Sequence, residues 1–175
     1  DIKKRGNASW ASAGGLWPIG EAVGLGCGGI CFKTLSRRRR ESGDTTTKID
    51  RPHQLPEFFL DFCLKSNAMF PELWRVLREA SGVDFKLEAT GLKFIMYDQD
   101  DVNYAHQIAD SIPHVADQLR WFDQKQLRED EPYVTKDAIG ALTFLRDDQV
   151  NPYLLTLAYR EGARRNGVNL IESTE

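Results

Sequence analysis

The stretch Arg5–Leu16, RGNASWASAGGL, concentrates glycine, alanine and serine. Side chains this small let a backbone approach a ligand closely, and successive N–H groups can form an anion-binding nest. A Gly/Ala-rich loop with no ligand has the same composition, so the residues alone leave both readings open. Other chemistry-bearing groups are sparse. His53, His106 and His114 share no metal-ligand spacing and read as surface or locally hydrogen-bonded side chains. Cys27 and Cys31 lie four apart, with Cys63 distant, so a zinc or iron–sulfur site would need ligands from elsewhere. Asp147-Asp148 and the Glu129–Glu131 cluster read as solvated turns rather than a catalytic carboxylate pair. No serine sits in a GxSxG elbow, so no nucleophile is assigned. Asn7-Ala8-Ser9 fits the glycosylation pattern, which carries little weight without a secretory signal.

Charge is unevenly spread. The 175 residues carry 23 Lys/Arg and 26 Asp/Glu, a net of −3. Residues 1–40 hold eight basic side chains against Asp1 and Glu21, and the remainder is acidic. Arg37–Arg40 reads as a solvated helix face or loop. The alternative is a polyanion-binding patch facing a partner subunit or phospholipid, although the run lacks interleaved aromatics for base stacking. Mean hydropathy is −0.45, and no run reaches the roughly 20 apolar residues of a membrane-spanning helix. Three cysteines, none in a CxxC pair, supply no disulfide framework and point to a reducing compartment.

The elements that would carry these residues alternate between helix and strand. The eight glycines between Gly6 and Gly29 favour irregular turns, and residues 41–56 read as a polar surface connection. Apolar residues from Phe58 to Leu77 recur at helical spacing up to Gly82, with a kink or break expected at Pro71. Leu92, Phe94 and Met96 alternate as a strand. Asp98 N-caps a helix carrying Val102, Ala105, Ile108 and Ile112, which ends at Pro113. A strand about Leu119–Phe122 follows, then a short helix capped by Asp123, then a strand over 139–146. Asn151 and Pro152 open a last helix that stops at Gly167, and Val168–Ser173 reads as a strand seeking parallel neighbours. The chain opens DIKKRGN without an initiator Met and closes NLIESTE, and we read it as a segment of a longer polypeptide.

The run KKRGNASWASAGGL resembles the flavin-contacting segment of the D-amino-acid-oxidase-like (glycine oxidase) family of FAD-dependent oxidoreductases. The resemblance continues through GLWPIGEAVGLGCG, SGVDFKLEATGLKFIMYDQDD, QLRWFDQKQLREDEPYV and DDQVNPYLLTLAYREGARRNGV. Within that family, GLWPIGEAVGLGCG and TGLKFIMYD are most like the C subunits of hydrogen cyanide synthases. The resemblance implies an α/β chain, an α+β mixture in this stretch. It comprises part of an FAD-binding Rossmann-like domain and part of an antiparallel-sheet substrate domain. The implied divisions are 1–50 (the FAD-loop segment and a basic connection), 51–82 (a long helix), 83–147 (part of the substrate domain) and 148–175 (a return to the FAD domain).

By the same resemblance, the cofactor is FAD. Asp1 stands where the family's acidic residue holds the adenosine ribose. Ala8 and Ser9 match positions near the cofactor phosphates and ribityl chain. Ala13, Gly14 and Gly15 match the loop whose backbone approaches the flavin ring, and Leu16 follows it. Trp10 and Ser12 stand where relatives carry smaller or different residues. The substrate-binding arginine and active-site aromatics of the family lie C-terminal to this stretch, so no catalytic residue is assigned and the chain by itself is expected to be inactive. The implied reaction is transfer of hydride from a small amino acid to flavin, with glycine giving HCN and CO2. Proline, hydroxyproline or opine dehydrogenation is the alternative within the family. Implied partners are the amino-acid substrate and further subunits of a hetero-oligomeric dehydrogenase, with no nucleic acid. The implied location is cytoplasmic, or peripheral on the cytoplasmic membrane through those subunits. Outside the family, a non-enzymatic anion-binding module built on Lys3–Arg5 and Arg37–Arg40, or a scaffold with no ligand, remains the competing reading.

Overall fold

The computed structural model describes residues 12–24, 27–44, 46 and 55–171. They form two compact units, and the chain passes between these more than once. Every paired strand among the described residues is antiparallel.

The first unit takes residues 12–16, 65–90 and 148–171 of the described chain. Its strands are short. β1 (Gly15–Leu16) pairs with β5 (Asp148–Gln149), Gly15 opposite Gln149 and Leu16 opposite Asp148. Gln149 also exchanges two backbone hydrogen bonds with Glu88, at 2.8 and 2.9 Å. Helix α3 (Glu57–Ser81) supplies its later turns to this unit, and α6 (Pro152–Arg165) packs with it. Leu77, Phe85, Val150 and Ala158 are the buried centre, with Leu16, Phe70, Leu73, Trp74, Leu154 and Leu155 packed around them. Gly162 on α6 packs over α3, where a Cβ would make ordinary contacts of 3.7 Å with Leu77 and 3.8 Å with Ala80. α3 runs through Pro71 as one continuous helix, so of the kink or break expected there the break does not occur. An interior proline costs about 3 kcal/mol, but Phe70, Leu73, Trp74 and Leu77 on both sides of it are anchored in one core. Asn151 N-caps α6 by accepting from Leu154 N–H at 2.9 Å, and Gly167 closes it at φ +81°.

Beyond α6 the reading of Val168–Ser173 as a strand fails for the described part: residues 168–171 form no strand. A strand exists only where a neighbour accepts its hydrogen bonds. None of the described strands runs beside this segment, and Val168, Leu170 and Ile171 are exposed.

The second unit takes residues 17–24, 27–44, 46, 55–64 and 91–147 of the described chain. Its sheet has the order β2 (Leu92–Met96), β4 (Gly140–Phe144), β3 (Leu119–Asp123). Leu92 faces Phe144, and Leu119 faces Phe144 from the other side. This register puts Phe94, Met96, Leu142 and Phe144 on one face. There they meet Ala105 and Ile108 of α4 (Gln99–Ser111), Ile112 just beyond it, and Ile19, Ala22 and Val23 from around α1 (Pro18–Ala22). Phe122 and Ala141 on the opposite face meet Leu127 of α5 (Gln124–Asp130). The caps read from sequence are present. Asp98 accepts from Asp101 N–H at 2.9 Å, and Asp123 forms a reciprocal capping box with Gln126.

Asp147 overturns the solvated-turn reading for its position. It is fully buried, and its two carboxylate oxygens accept the N–H groups of Ile19 at 2.9 Å and Gly20 at 2.7 Å. A short helix beginning at Pro18 leaves orphan donors inside the unit, and a carboxylate satisfies two at once.

Candidate functional site

Of the residues singled out from sequence, Asp1, Ala8 and Ser9 lie outside the described residues, and Ala13, Gly14, Gly15 and Leu16 lie within them. Those four line up at one place in the first unit. Gly14 is buried at φ +82° and accepts a hydrogen bond from Val150 N–H at 2.9 Å. No other residue type fits there: a Cβ would stand 2.0 Å from the Val150 carbonyl oxygen and 2.9 Å from Pro152 Cδ. Ser12 Oγ accepts the Gly14 N–H at 3.3 Å. Ala13 and Gly15 are exposed, and Leu16 turns back into the core. Asn67, buried on α3, donates to the Leu16 carbonyl at 3.4 Å. The loop is therefore held against Val150 and α3, while Ser12, Ala13 and Gly15 stay exposed.

Ser12 and Ala13 form one wall of a cleft of about 540 Å³, whose other walls are Lys86, Glu88 and Gln149–Tyr153. That volume lies within the range of sites for small molecules and cofactors. The Lys86 side of the cleft is shaped by Asp84. Asp84 Oδ1 accepts Trp74 Nε1–H at 3.0 Å and Lys86 N–H at 2.9 Å, and Lys86 takes φ +57°. Sequence reasoning missed this wall. Its only sequence signal is the Asp84-x-Lys86 spacing of an Asx turn.

The Asp84 contacts carry a pH prediction. The Trp74 indole N–H, followed by the Lys86 amide, holds the Asp84 carboxyl down to about 2 from the ordinary 3.8. A depressed folded-state value means that the stabilisation is complete above the ordinary carboxylate value and is lost as pH falls through about 2. The Asp84 side-chain carboxyl 13C resonance should therefore titrate with a midpoint near 2, with Trp74 fluorescence shifting in the same window. A midpoint near 4 would rule out the indole contact.

The basic run behaves differently. α2 (Cys27–Ser42) carries it, and three of its four guanidinium groups are engaged within the second unit. Arg37 pairs with Glu41 at 3.0 Å, Arg39 donates to the Asp44 carbonyl at 2.7 Å, and Arg40 pairs with Asp98 at 3.0 Å and with Asp100. One turn earlier, Lys33 pairs with Asp101 at 3.1 Å, donates to the Ile95 carbonyl on β2, and lies over the Phe94 and Tyr97 rings. Burial pushes the Lys33 amine down, against the pull of Asp101. These cations fasten α2 to β2 and to the start of α4. Among the described residues no three His, Cys, Asp or Glu side chains gather as metal ligands, and no helix is long and apolar enough to cross a membrane.

Residues 3–175 match a family model described as FAD dependent oxidoreductase. The chain belongs to that family. Over 177 aligned residues this family member is 54% identical to the hydrogen cyanide synthase subunit HcnC of Pseudomonas protegens and 52% identical to that of Pseudomonas aeruginosa. In both cases 99% of the chain is aligned, to 42% of the relative. It thus spans well under half the length of these curated relatives. Glycine oxidase from Geobacillus kaustophilus superposes with a TM-score of 0.67 over 95% of the chain and 37% of that structure, at 22% identity, which shows a shared fold. The mixture of helices with antiparallel sheets is the arrangement expected of an FAD-dependent oxidoreductase of this kind.

Proposed function

We propose that this chain is part of an FAD-dependent amino-acid oxidoreductase that oxidises glycine to HCN and CO2. In this reading the first unit belongs to the cofactor domain, and residues 91–147 of the second belong to the substrate domain. The observation that carries it is the start of the glycine loop, where Ser12 and the methyl-sized Ala13 line a cleft while Gly14 is locked against Val150. These residues suit FAD: a flat ring needs a wall without protruding side chains, and amide N–H groups suit its anionic reduced form. The backbone of Ala13, Gly14 and Gly15 would approach the ring, with Leu16 following it and Asp1, Ala8 and Ser9 toward the ribose, phosphates and ribityl chain. When bound, FAD supplies the two-electron acceptor that no side chain provides. The chain's own part is positional: Gly14 and Val150 hold the wall, and Pro152 backs it.

The overall change is glycine to HCN, CO2, four protons and four electrons, in two two-electron steps through an imine. The high identity to subunits named for hydrogen cyanide synthesis supports this product. The electrons would leave through partner subunits, and those subunits would carry any membrane association. The test is anaerobic titration of the full-length polypeptide, purified with its companion subunits. Glycine is expected to bleach the flavin absorbance with release of cyanide. Bleaching by proline, hydroxyproline or an opine, with none by glycine, would assign the alternative substrate class, and absence of flavin would overturn the reading altogether.

A further inference from the structure

Lys86 is the only residue other than glycine with a positive φ among the described residues. A left-handed backbone is unfavourable for any residue with a Cβ, and such outliers gather at ligand sites. Asp84 fixes the turn, and the turn sets Lys86 on the wall of the 540 Å³ cleft as the only cationic side chain lining it among the described residues. Its ammonium is loosely held. Asp84 Oδ2 is 3.4 Å away in an exposed pair, and exposed pairs of this kind exchange readily with other anions. Ser12 and Ala13, at the start of the glycine loop, line the same cleft.

We propose that Lys86 is a cofactor-binding residue, its ammonium offsetting negative charge on FAD at the cleft beside Ala13. This rests on the flavoenzyme reading above. FAD carries such charge in two places, on its pyrophosphate and on the ring once reduced, and both present the same chemistry to an ammonium.

The full-length polypeptide with Lys86→Gly is the informative variant, because glycine relieves the left-handed strain while deleting the charge. Lys86→Arg keeps the charge, and Lys125→Ala removes an exposed cation on α5 as a control. Thermal unfolding should show Lys86→Gly at least as stable as the parent. If the partner is the pyrophosphate, oxidised FAD should bind about tenfold more weakly to Lys86→Gly, with a flatter salt dependence. If the partner is the reduced ring, oxidised FAD should bind unchanged while the flavin midpoint potential falls. In either case Lys86→Arg restores the parent value and Lys125→Ala does not move it. Unchanged affinity and potential in Lys86→Gly would overturn the proposal, as would a loss that arginine fails to restore. A parent polypeptide that binds no FAD would overturn the flavoenzyme reading itself, and this proposal with it.

Discussion

Gly14→Ala is expected to destabilise the first unit by at least ~3 kcal/mol, a large effect for a single added methyl group. Two costs combine. The left-handed backbone at φ +82° disfavours any Cβ by about 1–2 kcal/mol. The new methyl would also lie 2.0 Å from the Val150 carbonyl oxygen and 2.9 Å from Pro152 Cδ, a backbone atom and a ring atom that cannot swing aside. Relief requires breaking the Val150–Gly14 hydrogen bond and pushing β1 off β5. Gly167→Ala isolates the first cost, since φ is +81° there and a Cβ added at that position would meet no atom within 4 Å. Urea denaturation should give roughly 1 kcal/mol for Gly167→Ala, and equal losses at the two positions would show that the Gly14 loop is not held against Val150.

Asp147→Ala should cost the second unit about 3–5 kcal/mol. The substitution strands two buried N–H groups, those of Ile19 and Gly20. Gly20 is matched to this arrangement, because a Cβ there would stand 2.7 Å from an Asp147 oxygen and 2.6 Å from Leu92 Cδ2. Asp147→Asn should fall between the parent and Ala, since an amide offers one acceptor oxygen where two are needed. Arg40→Ala removes two exposed ion pairs and should cost no more than about 1 kcal/mol. Chemical denaturation that ranks Arg40→Ala above Asp147→Ala would refute the assigned role of the buried carboxylate.

What could be read from sequence was local. The caps at Asp98, Asp123 and Asn151 each satisfy an N–H three residues on, so their partners lie within one glance of the chain. The alternation of Leu92, Phe94 and Met96 marked β2 because one face of it is buried. Pairing across distance was not legible. Asp147 and its partners Ile19 and Gly20 lie more than 120 residues apart, and a doublet of aspartates in a polar turn carries no trace of them. The strand reading for Val168–Ser173 followed the side chains correctly as apolar but could not supply the neighbour a strand requires. At the candidate site the glycine loop was visible from composition and resemblance. The facing wall, Lys86, Glu88 and Gln149–Tyr153, comes from segments far along the chain from the loop, and no periodicity signals it.

Glu88 and Gln149 exchange both of their backbone hydrogen bonds, so the polypeptide between them departs and returns at a single rung. Insertions into a host are tolerated where the two ends of the insert lie side by side. The excursion that carries β2, β3 and β4 thus leaves the first unit and rejoins it at one place. A change of length within the excursion leaves the register of the ladder that holds Gly14 untouched, because both of its ends are fixed at that rung.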